Sequence, residues 1–63
     1  MNKVIARSDE QLGMALRLAY AIELPYSVET VLNDHHKVEF HVTISADDES
    51  FRMFKGQFEI QLA

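Results

Sequence analysis

His36-Lys37-Val38-Glu39-Phe40-His41-Val42-Thr43-Ile44 alternates without a break between two sets of side chains. His36, Val38, Phe40, Val42 and Ile44 fall on one side, and Lys37, Glu39, His41 and Thr43 on the other. Successive side chains of a β-strand point to opposite faces, so this stretch predicts a strand with one buried and one wet face. Asn33-Asp34 just before it is a turn signal, because both residues tolerate left-handed backbone and bond their own main chain. Tyr26 to Leu32, with Val28, Thr30 and Val31, favours extended backbone. The two segments together predict a β-hairpin.

Upstream, Lys3 to Arg7 predicts a short first strand. Ser8 follows as a helix N-cap, with Gln11 placed to complete a capping box and Asp9 and Glu10 where the helix dipole favours acids. The helical pattern runs from residue 9 to 24, where Pro25 disfavours the α conformation of its predecessor. Leu12, Ala15, Leu16, Ala19 and Ile22 form one apolar stripe. Met14, Leu18 and Ala21 form a second stripe beside it. One stripe suffices for a helix lying on a small sheet, so the second requires a loop or another chain to cover it.

The segment from Ser45 to Gly56 supports two readings. A polar loop through Asp47-Asp48-Glu49 can lead into a long strand in which Phe54, Gly56, Phe58, Ile60 and Leu62 share a face. Alternatively, Ser45 caps a second helix that Gly56 ends. In both, Gln57 to Leu62 is a terminal strand. The first reading is preferred. It gives one α+β domain over residues 1–63, a single helix on a small antiparallel sheet in the order β-α-β-β-β. The second gives a compressed ferredoxin-like β-α-β-β-α-β order. The expected sheet core is Val28, Val38, Phe40, Val42, Ile44, Phe58, Ile60 and Leu62.

Sixty-three residues bury only about 60% of the surface of their unfolded form, so such a core needs reinforcement. With no cysteine, disulfides and thiolate ligands are excluded, and oligomerisation is the reinforcement that remains. A hydrophobic share of 48% with 25% charged residues is that of a globular domain rather than a disordered segment. The formal charge of −4 argues against a dedicated phosphate-backbone binder. No apolar run approaches the roughly 18 residues of a membrane span, and the start of the chain has no signal-peptide pattern. A cytoplasmic protein is expected.

No motif carries recognisable chemistry. His35 and His41 would share a strand face at a separation of about 20 Å, too far to grip one metal ion. Asp47-Asp48-Glu49 lacks the alternate spacing and the glycine of a calcium loop. With glycine only at positions 13 and 56, there is no phosphate-cradling loop, and no serine is patterned with a histidine. No catalytic residue, cofactor, metal or small-molecule substrate is predicted.

The leading expectation is a small non-enzymatic interaction module that associates with itself or another protein. Its candidate interface is Met14, Leu18 and Ala21 with Tyr20 and Tyr26. A second reading is an acidic regulator that presents Glu29, Glu39, Asp47, Asp48 and Glu49 to a basic protein surface. A third is weak single-stranded nucleic-acid binding through Phe51, Arg52, Phe54 and Lys55.

Overall fold

The computed structural model describes residues 2–63. The elements are β1 (Lys3–Ala6), α1 (Asp9–Ala21), β2 (Tyr26–Leu32), β3 (Val38–Ile44) and α2 (Asp48–Leu62). Among the described residues the sheet has the order β1-β3-β2, antiparallel at both pairings. The fold is therefore α+β, as expected, but its order is β-α-β-β-α. β1 and β2 run parallel to each other with β3 between them, a split β-α-β unit.

The expected terminal strand is instead the second half of α2. Phe51, Phe54 and Phe58 recur at helical spacing, and their rings stack at 6.4 Å and 6.2 Å between centroids. That i, i+3, i+7 series outcompetes the alternation of Phe58, Ile60 and Leu62, because a helix buries Phe54 and Phe58 together with half-buried Phe51 packed against the same core. The helix starts on Asp47 rather than Ser45, and the Asp47 carboxylate accepts the Ser50 amide at 2.8 Å. Gly56 lies inside the helix and does not end it.

At the other helix, Ser8 caps as predicted, its Oγ accepting the Gln11 amide at 3.1 Å. The Gln11 side chain reaches one residue further back than a capping box requires, to the Arg7 N–H at 2.8 Å. α1 ends at Ala21, short of Pro25. The Leu24 N–H bonds the Ala19 carbonyl and the Glu23 N–H bonds that of Tyr20, with Glu23 at φ 58°. This is a Schellman ending with glutamate where glycine is usual. His36 is likewise in the turn, at φ 60°, rather than in the strand. Asn33 organises that turn, its Oδ1 accepting the amides of His35 and Lys37.

Val4, Ala6, Ala15, Ala19, Val42, Ile44, Phe54 and Phe58 form the buried core. Met14 and Leu18 are half-buried against it. α2 packs beside α1, while Ala21 of the second stripe remains exposed. Of the expected sheet core, only Val42, Ile44 and Phe58 are buried. Phe40 is half-buried, while Val28, Val38, Ile60 and Leu62 are exposed. Ile60 and Leu62 moved with the change from strand to helix. Val28 and Val38 stayed on the expected face, but the helices do not extend over them.

Candidate interaction surface

Directly paired residues of an antiparallel sheet project to the same face. Val28 pairs with Val42, Tyr26 with Ile44, Thr30 with Phe40 and Leu32 with Val38, so all eight lie on the helix-covered face. α1 and α2 pack over the β1–β3 side of that face and bury Val4, Val42 and Ile44. The β2 side is left open. Tyr26 is 47% exposed, Val28 40% and Leu32 62% along edge strand β2, with Val38 at 48% opposite Leu32 on β3, an apolar strip interrupted on β2 by Thr30.

The backbone of the strip follows from the ends of the β2–β3 ladder. The Asn33 N–H bonds the Lys37 carbonyl at one end, and the Ser45 N–H bonds the Pro25 carbonyl at the other. Hydrogen-bonded and non-bonded pairs alternate along an antiparallel ladder, so Ser27, Glu29 and Val31 turn their polar groups to β3. Tyr26, Val28, Thr30 and Leu32 direct theirs outward. Their outward N–H and C=O groups accompany side chains on the open part of the core face. No lysine or interior proline blunts the strand, and its one charge, Glu29, is on the opposite face.

The opposite face of the sheet is not simply wet. Glu39 and His41 side chains are only 15% and 16% exposed, and they contact each other at 3.3 Å. The Lys3 ammonium has no acceptor, so at 3.2 Å it donates to His41 Nδ1, leaving His41 Nε2–H to donate to Glu39. Asn33 donates to the second Glu39 oxygen at 3.3 Å, and Arg7 approaches it at 3.7 Å. The Asn33 and His41 hydrogen bonds, then the Arg7 charge, hold the Glu39 carboxyl below its ordinary value. Asp47 is lowered likewise by the Ser50 amide.

The candidate residues are therefore distributed over several surfaces. Tyr26 heads the exposed strip, while Tyr20 stands 77% exposed on α1, Ala21 ends that helix in solvent, and Met14 and Leu18 are half-covered. Among the acids, Glu29 and Glu39 lie on the outer sheet face and Asp47, Asp48 and Glu49 at the start of α2. Phe54 is fully buried, which leaves its ring no face on which a base could stack beside Arg52 and Lys55. Among the described residues, no three histidine or acidic side chains converge as metal ligands. No described helix is long and apolar enough to cross a membrane. Val28 and Val38 are legible in the sequence as core-facing, but their exposure depends on strand order and helix placement.

No family model, curated protein or solved structure matches the chain.

Proposed function

We propose that this protein is a small non-enzymatic interaction module of the cytoplasm that self-associates by pairing the β2 strands of two copies. The observation that carries the reading is the coincidence, at Tyr26, Val28, Thr30 and Leu32, of outward backbone groups with uncovered core-face side chains. An edge strand is self-complementary under a two-fold axis, since antiparallel pairing of a strand with its own copy satisfies both rows of polar groups.

The register is set by charge and apolar contact. Centring the ladder on Glu29 places two carboxylates directly opposite, which disfavours it. Centring it on Thr30 sets Val28 against Leu32 of the second copy and Glu29 against Val31. The result is a continuous six-stranded sheet with the helices of both copies on one side. It also supplies the reinforcement that a core of this size needs.

Thr30→Pro tests the proposal. The Thr30 N–H faces outward, so proline removes no β2–β3 hydrogen bond but blocks the centre of the proposed seam. Sedimentation equilibrium from micromolar to millimolar protein is expected to show dimer formation for the natural chain. The variant should remain a folded monomer. A natural chain that stays monomeric throughout, or a variant that dimerises equally well, overturns the proposal.

A further inference from the structure

The opposite edge of the sheet, β1, carries a different surface. The Ile44 N–H bonds the Asn2 carbonyl at 2.7 Å, so Asn2, Val4 and Ala6 face β3, and Lys3, Ile5 and Arg7 direct their backbone groups outward. The Arg7 N–H is already held by Gln11. The outward groups are therefore the N–H and C=O of Lys3 and Ile5 and the C=O of Arg7. α2 extends past this edge, and together they enclose an open groove of about 290 Å³.

Val4, Phe58 and Leu62 give the groove an apolar side, and Lys3, Arg7 and Lys55 give it charge. Half of the six basic residues thus line one groove of a chain whose formal charge is −4. Two of them are partly engaged, Lys3 with His41 and Arg7 with Glu39, and Glu59 also lines the groove. Topology marks the same place. A strand following α2 in a second split β-α-β unit would run parallel to β3 and dock beside β1.

We infer that the β1 groove receives an extended segment of a partner protein, added as an antiparallel strand and alternating apolar with acidic residues. The apolar side chains lie toward Phe58 and Leu62 on the helix side, and the acidic ones lie beside Lys3 and Arg7 on the other. Backbone pairing supplies affinity, and the two sides select the alternation. This surface is independent of the β2 seam, which occupies the other edge.

The probe is the synthetic peptide acetyl-Glu-Val-Glu-Val-Glu-Val-Glu-amide, titrated at low salt into the ¹⁵N-labelled chain, with the lysine-for-glutamate peptide as control. The acidic peptide is expected to shift the amide signals of Lys3, Ile5 and Phe58 and to slow exchange at Lys3 and Ile5. Lys3→Glu, at an exposed position beside the acidic side of the added strand, should weaken its binding about tenfold. Equal binding of the two peptides, no binding of the acidic one, or shifts confined to β2 overturns the inference.

Discussion

Replacing Phe58 and Ile60 in turn separates the helical account of the last third of the chain from a strand in which both share a face. Phe58 is 3% exposed and its ring stacks on fully buried Phe54 at 6.2 Å, whereas Ile60 is 66% exposed. Truncating a buried phenylalanine to alanine costs about 3–5 kcal/mol. A domain of 63 residues has roughly 3–9 kcal/mol in total, at about 0.05–0.15 kcal/mol per residue. Phe58→Ala therefore consumes most of the stability, and Phe58→Leu is the measurable variant, at about 1–1.5 kcal/mol. That corresponds to a fall in Tm of roughly 4–12 °C for a domain this small. Ile60→Ala exchanges an exposed β-branched residue for the best helix former and should stay within about 0.5 kcal/mol of the natural chain. Urea melts followed by far-ultraviolet circular dichroism, at one fixed protein concentration, give both values. A loss for Ile60→Ala as large as for Phe58→Leu would refute the helical packing of α2.

Gly56→Ala should stabilise the protein by about 0.5–1 kcal/mol, because Gly56 sits inside α2 and an added Cβ meets nothing within 4 Å. Thermal melts of the two proteins read this directly, and a lower Tm would contradict it. The lowered Glu39 carboxyl makes stability depend on acid. Its contribution is fully present above its ordinary value of 4.5 and is lost as the pH falls through the lower folded value. Glu39→Gln should flatten the decline of Tm as the pH falls below 4.5; an unchanged slope would show that the contacts with Asn33 and His41 contribute nothing. Val31→Pro, unlike Thr30→Pro, removes an inward N–H of the β2–β3 ladder. It should destabilise the monomer by about 1–3 kcal/mol in the same melts, and equal effects of the two prolines would refute the assigned alternation.

Local signals were legible wherever one residue's chemistry sufficed. Ser8 caps α1 by its own hydroxyl, Asn33 organises the hairpin turn, and Val42 and Ile44 alternate into the core. The tail is ambiguous in the sequence because Phe58, Ile60 and Leu62 satisfy a period of two while Phe51, Phe54 and Phe58 satisfy one of 3.6. Only packing of the three rings against α1 and the sheet decides between them. The end of α1 was obscured by Glu23, which adopts the left-handed conformation without being glycine. The uncovered strip was hidden for another reason. Val28 and Val38 carry the same pattern as buried Val42, and exposure depends on which strand lies at the edge and where the helices rest. The pairing of Glu39 with His41 is not legible in the sequence, because an i, i+2 pair on a polar strand face looks like ordinary solvated charge.

Amide hydrogen exchange along β2 tests the proposed seam most directly, because it reads alternate residues of one strand. In dilute solution the amides of Glu29 and Val31, turned toward β3, should be protected, and those of Val28 and Thr30 should exchange freely. As the concentration rises into the dimeric range, protection should appear at Val28 and Thr30 while that of Glu29 and Val31 changes little. Val28 and Thr30 amides that remain unprotected at every concentration would contradict the account.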